Sequence, residues 1–367
     1  MWRRGADPDG YVANFVETEQ IVHMNGFTLS FVQIRGSIPL LWEQIVDLTY
    51  KPKFEIIQPE EAGRVADRHF LDLRKKYGSV FAVDLVNKHG GEGRLCERYG
   101  AAMQNITNEE VRYWHFDFHK ICGHAHFERL SILYDQIEPF LQKHGYLLLN
   151  EKGEKLKEQS GIVRSNCIDC LDRTNVTQSL IARKILEIQL RRIGVFGAEE
   201  TINCHSNLDD YFKILWANHG DEISIQYSGT PALKGDFVRY GHRTVQGIVN
   251  DGWNALARYY FNNFSDGKKQ DAIDLLHGHY IVSVSRDGTS SQTGGFEAFA
   301  SLPVALLIMM TGVVLALSSL RQAHYDHRHW FFSMVWGGVS FGVASVVRTY
   351  GRIFCNRPRL HRPRSSR

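Results

Sequence analysis

The chain has 367 residues, of which 43% are hydrophobic and 12% aromatic, a composition that excludes a disordered or fibrous protein. The formal net charge is +3, but seven arginines and no acidic residue lie in 348–367, so residues 1–347 carry −4. This distribution excludes a generally basic nucleic-acid-binding protein and indicates one basic tail. The six cysteines are too few and too scattered for a disulfide framework, which favours a reducing compartment.

From about residue 27 to 195 the hydrophobic pattern changes period repeatedly. We predict strands at 27–34, 79–86, 111–118, 146–149 and 161–164. We predict helices through 66–77 with Gly78 as its stop, through 130–141 with a possible kink at Pro139, and through 176–188. After residue 205 the chain is predicted to be mostly helical. Alternating strands and helices are typical of an α/β fold with a mixed sheet flanked by helices.

The C-terminal region is predicted to form a hairpin of two transmembrane helices. Residues 298–320, which follow Glu297, contain no charged side chain and are long enough to cross a hydrocarbon core of about 30 Å. Residues 330–347 form a shorter, glycine-rich apolar run. The alternative is a buried hairpin in a soluble core. A polar, Gly/Ser-rich linker at 285–297 is predicted to join the first span to the main domain, 1–284.

The basic tail predicts the orientation in the membrane. An excess of arginine marks the cytoplasmic side, so 348–367 is predicted to be cytosolic. With two crossings, domain 1–284 is then cytosolic as well.

The stretch 164–175 (RSNCIDCLDRTN) carries the candidate chemistry. A β-branched run precedes it and a helical pattern follows it, with Thr174 as the predicted N-cap. A cysteine, five residues and an arginine between strand and helix predict a loop whose backbone N–H groups bind an anion at the positive helix end. The residues predicted to bind a phosphate there are Asn166, Ile168, Cys170, Leu171 and Thr174.

The same electrostatic field is expected to activate the cysteine. A helix N-terminus and a fixed guanidinium lower a thiol pKa, so we expect Cys167 to be a thiolate nucleophile. Arg173 can bind two phosphate oxygens and follow the charge that develops in the transition state. The predicted reaction is attack of sulfur on phosphorus, a cysteinyl-phosphate intermediate and its hydrolysis, with no metal and no other cofactor.

A departing alkoxide needs a proton, which makes a nearby carboxylic acid the expected third participant. Asp172 and Asp169 are the candidates, and each has a structural alternative as an acceptor of backbone hydrogen bonds within the loop. Asp117 is a more distant candidate, interpreted first as a strand-end residue satisfied by its neighbours.

The motif Cys167–Cys170 is also a CxxC, which by itself is typical of zinc or redox sites. Zinc would need further ligands, and Cys122, His124 and His126 are the available candidates. No second CxxC is present in the sequence, so we favour the phosphate loop and predict no metal.

The stretch 164–175 closely resembles the signature RxNCxDCLDRTN of the Sac-domain phosphoinositide phosphatases, with every fixed position present. Further blocks resemble the family in the same order: 2–7, 14–20, 31–39, 117–119 and 262–267. With the two C-terminal spans, the sequence is similar to the membrane-anchored branch of the endoplasmic reticulum and Golgi, especially plant members. Family members carry an N-terminal subdomain before the Trp-Arg-Arg-Gly block, so the chain looks like a shortened form.

The resemblance implies a metal-independent phosphatase for phosphatidylinositol monophosphates, chiefly the 4-phosphate, with Cys167 as nucleophile and Arg173 as phosphate binder. It makes a phosphoinositide lipid the expected partner and gives no expectation of nucleic acid. Four basic residues could contact the headgroup or be solvated surface charges: Arg35, Lys234, Arg239 and Arg243. Two rivals stay open, a catalytically silent membrane protein that binds phosphoinositide or a partner, and a protein phosphatase with a soluble substrate.

Overall fold

The computed structural model gives two compact units, one built from 2–43 and 54–257 and the other from 44–53 and 258–367 with Met1. The structure describes residues 4–44, 46–49, 52–123, 127–168, 171–240, 243–276, 278, 294–322, 326–356, 358 and 360. The predicted division into 1–284, 285–297, 298–347 and 348–367 stays a prediction.

Nine strands and twelve α-helices are found in the described parts of the chain. The strands are β1 Val16–Met24, β2 Phe27–Arg35, β3 Trp42–Gln44, β4 Phe54–Ile56, β5 Ser79–Asp84, β6 Val111–His115, β7 Leu147–Leu149, β8 Lys155–Lys157 and β9 Gly161–Asn166. The first helices are α1 Ala62–Tyr77, α2 Gly93–Gln104, α3 Phe118–Cys122, α4 Ser131–His144, α5 Asp172–Arg192 and α6 Ser206–Ser228. The others are α7 Gly235–Tyr240, α8 Val245–Phe264, α9 Asp266–Leu276, α10 Gly294–Gln322, α11 Arg328–Thr349 and α12 Gly351–Phe354.

Seven strands form one mixed sheet in the order β6-β5-β9-β2-β7-β8, with β1 also paired to β2. β5 runs parallel to β6 and β9, and β9 runs parallel to β2. β1, β7 and β8 add the antiparallel pairs. The predicted mixed α/β fold is confirmed.

Helices cover both faces of the parallel strands. Along β5, Phe81 and Val83 lie in one buried cluster, whereas Val80 and Ala82 lie in another, as the period of two in a strand requires. The first cluster includes side chains of α4 and α5, and the second includes side chains of α1 and α2. Each fully buried large apolar side chain stabilises the fold by roughly 1.5–3 kcal/mol, so this two-sided core fixes the strand ends that carry the candidate site.

Gly78 ends α1, as the sequence predicts. It has φ +81°, and a Cβ there would lie 2.2 Å from the backbone oxygen of Ser160. Glycine is therefore required where the chain turns from α1 into β5.

The strand predicted at 111–118 is too long at its C-terminal end. β6 ends at His115, and α3 begins at Phe118. The reason is the N-cap: the Asp117 side chain accepts a hydrogen bond from Lys120 N at 3.0 Å and so starts a helix. Asp117 is consequently a capping residue and not the end of a strand.

The second unit contains two apolar helices, Leu302–Gln322 within α10 and Arg328–Thr349, with mean hydropathy 2.2 and 1.5. Both are long enough to cross a membrane. Ser333 Oγ donates to Ala316 O at 3.0 Å and Ser340 Oγ to Met309 O at 3.1 Å, so the two helices pack antiparallel. α10 begins at Gly294, inside the range predicted as linker, and 279–293 lies outside the described residues.

Candidate active site

Three parallel strands bring their carboxyl ends to one edge of the sheet. In the strand register, Asp84 is the partner of both Asn166 and His115. Leu85 N donates to Asn166 O at 2.8 Å, and Phe116 N donates to Asp84 O at 2.8 Å. The loops after β5, β6 and β9 therefore start side by side, at the edge where open α/β sheets bind ligands.

A fully buried arginine holds this edge together. Arg164 is 0% exposed; its Nη1 donates to Asn166 Oδ1 at 2.6 Å, its Nε to His69 Nε2 at 3.3 Å, and its Nη2 to Ser37 O. Asn166 Nδ2 donates to Asp84 Oδ1 at 2.7 Å. The amide of Asn166 thus links a buried cation to a buried carboxyl group, and the backbone just before the predicted nucleophile is fixed on both sides.

Asp84 also belongs to a cluster of possible metal ligands with Cys96 and His115, whose donor atoms lie within 4.8 Å of one another. Burial raises the pKa of Asp84, and burial with the charge of Asp84 raises that of Cys96 to about 12. A metal needs the thiolate, which this environment disfavours. Asp84 already accepts hydrogen bonds from Val86 N at 3.2 Å and Tyr113 OH at 3.1 Å. We therefore assign the cluster a structural role.

Cys167 directly follows β9 and is buried, with 2% of its surface exposed. Thr174 Oγ1 lies 3.4 Å from its sulfur. The predicted N-cap at Thr174 is wrong, because α5 begins at Asp172 and its N-cap position is Leu171, which makes no side-chain cap. Thr174 lies instead in the first turn of α5, where its hydroxyl donates a hydrogen bond to the sulfur of Cys167. This contact brings the predicted nucleophile to the N-terminal end of α5.

The loop between Cys167 and α5 is described only in part. Ile168 and Leu171, both predicted to bind phosphate, are buried. Asp169 and Cys170 lie outside the described residues. The predicted path of the loop amides around an anion consequently stays a prediction.

The guanidinium of Arg173 is bound to the segment that follows β5. Its Nη1 donates to Leu85 O at 3.1 Å, to Asn87 Oδ1 at 3.3 Å and to Glu92 Oε2 at 3.0 Å, and its Nη2 donates to Glu92 Oε1 at 3.1 Å. Both members of the Arg173–Glu92 pair are about one-fifth exposed, with 22% and 23% of their side-chain surface accessible. The sequence did not identify Glu92 or Asn87 as site residues, and the Gly-rich run HGGEG around Glu92 was the one available signal.

Asp172, one of the two predicted acids, lies at the start of α5. Its Oδ1 accepts a hydrogen bond from Leu233 N at 3.0 Å. The next residue, Lys234, has φ +61°, and its backbone N–H donates to both carboxylate oxygens of Asp251, at 3.1 and 3.0 Å. Asp172 thus connects the N-terminal end of α5 to the turn before α7.

Two of the four basic residues considered as headgroup contacts lie in ion pairs near a cavity of about 770 Å³. Arg239 binds Asp221 at 2.5 Å, and Arg243 binds Asp236 at 2.8 Å and Asp251 at 2.6 Å. These carboxylates neutralise the two guanidinium groups. The part of the cavity wall that the structure describes is therefore not strongly cationic.

Arg35 lies at the end of β2 and is 1% exposed. Its Nη2 donates to Asn175 Oδ1 at 3.3 Å, and Asn175 Nδ2 donates to Trp216 O at 3.2 Å. The guanidinium thus belongs to the buried contact of β2 with α5 and α6, and the interpretation of Arg35 as a solvated surface charge is wrong.

Two histidines near this region are shifted toward the neutral form. Burial, then the charge of Arg164, holds the pKa of His69 well below its usual range. Burial, then the charge of Arg35, lowers the pKa of His219 to about 4. Because Arg164 Nε donates to His69 Nε2, the proton of His69 lies on Nδ1, which donates to Gly10 O at 2.9 Å.

These histidines predict acid sensitivity of the fold. Their pKa values are lower in the folded state than the ordinary 6.5, so between the two values the unfolded state binds more protons. Stability is therefore full above about pH 6.5 and falls as the pH drops toward about 4, by on the order of 3 kcal/mol for His219. Thermal unfolding between pH 7.5 and 4.5 measures this, and His219→Gln should flatten the profile. An equally steep profile in that variant would contradict the assignment.

Comparison with known proteins gives consistent matches. Residues 1–123 match the family model described as SacI homology domain. The chain is 72% identical to phosphoinositide phosphatase SAC7 of Arabidopsis thaliana, over 99% of this chain and 62% of the relative, and 73% identical to phosphoinositide phosphatase SAC6 of the same plant, over 100% and 62%. It is 39% identical to phosphatidylinositol-3-phosphatase SAC1 of Drosophila melanogaster, over 100% and 62%.

The chain thus spans about three-fifths of the length of these relatives, 62% in each case. Nearly its whole length takes part in the matches, including the stretch from Arg164 to Asn175. On these grounds the chain contains the SacI homology domain and is similar over nearly its whole length to phosphoinositide phosphatases.

Proposed function

We propose that the protein hydrolyses phosphatidylinositol monophosphates, chiefly the 4-phosphate, through a cysteinyl-phosphate intermediate. The observation that carries the proposal is the place of Cys167, buried between the end of β9 and the first turn of α5, with Arg173 in that turn. A strand end followed by a helix N-terminus is a site for phosphate. The relatives named as phosphoinositide phosphatases support the lipid substrate.

In the proposed reaction the Cys167 thiolate attacks phosphorus in line with the bond to the inositol oxygen. The P–O bond breaks, the departing oxygen takes a proton, and a water molecule then attacks the cysteinyl phosphate and releases inorganic phosphate and the thiolate. Arg173 stabilises the charge on the phosphoryl oxygens. The chain's own residues supply nucleophile, charge and acid, so a metal is not part of the scheme.

Asp172 and Asp169 are both kept as proposed acids. Asp172 lies in the first turn of α5, five residues after Cys167, and its link to Leu233 N holds the carboxyl group in one place. Asp117 is a poorer candidate, because its two oxygens accept hydrogen bonds from Lys88 N at 3.1 Å and Lys120 N at 3.0 Å. A carboxylate used in this way is a structural cap.

The two apolar helices support a proposed membrane anchor, with 298–320 and 330–347 as the spans. The proposed orientation places domain 1–284 and the tail 348–367 on the cytosolic side of an endoplasmic reticulum or Golgi membrane. Confinement to the membrane surface would keep the phosphatase near its lipid substrate.

The direct test is phosphate release from phosphatidylinositol 4-phosphate by the purified full chain in excess EDTA, beside the 3- and 5-phosphates. We expect turnover that chelation leaves unchanged and that is fastest with the 4-phosphate. A requirement for a divalent ion would contradict the proposed chemistry. Tight lipid binding without phosphate release would select the silent-binder alternative, and hydrolysis of phosphoproteins but not lipids would select a protein phosphatase.

A further inference from the structure

Arg173, the proposed phosphate-binding residue, has a charged partner, Glu92, that takes no part in the proposed reaction. Four hydrogen bonds of the Arg173 guanidinium end on the segment 85–92, and two of them form a bidentate pair with the Glu92 carboxylate at 3.0 and 3.1 Å. Bidentate pairs between arginine and a carboxylate fix the plane of the guanidinium as well as its distance.

Glu92 is itself held by the chain around it. Its Oε2 accepts a hydrogen bond from Asn87 N at 2.9 Å, so the segment closes on its own carboxylate. Asp117 binds Lys88 N at 3.1 Å and ties the segment to the cap of α3. Gly93 follows Glu92 where a Cβ would lie 2.6 Å from Lys88 O. The position of the Glu92 carboxylate is therefore fixed by the hydrogen bonds and close packing of the turn that carries it.

We propose that Glu92 is a positioning residue for the phosphate site: it binds the Nη1–Nη2 edge of Arg173 and so fixes the plane and position of the guanidinium at the phosphoryl group, without touching substrate. This inference rests on the proposed phosphatase function. Its physical basis is the restricted freedom of the Arg173 side chain. In the charge-assisted pair with Glu92, each side chain is about three-quarters shielded from solvent, and the pair holds the long arginine in one conformation.

The test measures oxyanion affinity separately from turnover. Orthovanadate is titrated calorimetrically into the purified full chain and into Glu92→Gln, Arg173→Lys and the double variant, with Glu97→Gln on the exposed face of α2 as the matched control. We expect Glu92→Gln to weaken orthovanadate binding about tenfold and to lower kcat/KM by about tenfold to a hundredfold. Glu92→Asp should recover part of the loss, and Glu97→Gln should behave as the wild type.

The double variant decides whether Glu92 acts through Arg173. If it does, Glu92→Gln should change the affinity less than about twofold once Arg173 is lysine, since coupled residues are not additive. Additive losses, or a Glu92→Gln protein with the affinity of the wild type, would overturn the inference and leave the proposed function standing. A wild type that binds orthovanadate but releases phosphate from no phosphoinositide removes the proposed function, and the affinity pattern still decides the role of Glu92. A wild type that binds no orthovanadate overturns both.

Discussion

Replacement of Cys167 by serine is expected to reduce phosphate release by at least about a thousandfold while the protein stays folded. Serine is nearly isosteric with cysteine, but its hydroxyl is a far weaker nucleophile at neutral pH because it stays protonated. Thr174 Oγ1, 3.4 Å from the sulfur, can donate to the serine oxygen as well, so the melting temperature should hardly change. Phosphate release and thermal unfolding of the two proteins in the same detergent measure both effects.

The matched control is Cys204→Ser, because Cys204 is exposed and lies outside the site. Full activity of this variant with loss in Cys167→Ser would locate the chemistry at one sulfur. Activity that survives in Cys167→Ser would exclude the cysteinyl-phosphate route. Loss of the folded state in that variant would instead make the sulfur a packing residue.

The central strands could be predicted from sequence because they are buried on both faces and read as apolar runs. β5 and β9 are almost entirely buried, and both were predicted within two residues of their ends. β1 was not predicted: it is a long edge strand whose side chains are mostly exposed, so its sequence, VETEQIVHM, lacks the apolar signal. The end of β6 was missed for a local reason, the capping of α3 by Asp117.

The residues of the candidate site could be predicted only where they lie near one another in sequence. Cys167 and Arg173 follow from the spacing between strand and helix. Glu92 is separated from Arg173 by 81 positions, and Asp84 from Asn166 by 82. These pairs meet because β5 and β9 are parallel neighbours. The hydrophobic periodicity of a sequence indicates strands but not their order in the sheet, so it could not predict these contacts. Asn166 was predicted to bind phosphate, yet its side chain is held between Arg164 and Asp84.

The buried hydrogen bonds that join Arg164, Asn166 and Asp84 are expected to be important for stability. We expect Arg164→Met to destabilise the domain by about 3–5 kcal/mol. Methionine fills part of the volume but leaves Asn166 Oδ1, His69 Nε2 and Ser37 O without the donor that each now has in Arg164. Buried acceptors that lose their donor cost the free energy of desolvation without compensation. The free energy of unfolding in urea, followed by tryptophan fluorescence, gives the loss.

Arg164→Lys separates charge from geometry. A lysine keeps the positive charge near Asp84 but is a point charge that cannot reach three acceptors in one plane, so we expect an intermediate loss of about 2 kcal/mol. Arg98→Met, at an exposed position on α2, should stay within about 0.5 kcal/mol of the wild type. If Arg164→Met also fell within that range, the carboxyl end of β9 would not depend on the guanidinium, and the fixed backbone before Cys167 would need another cause.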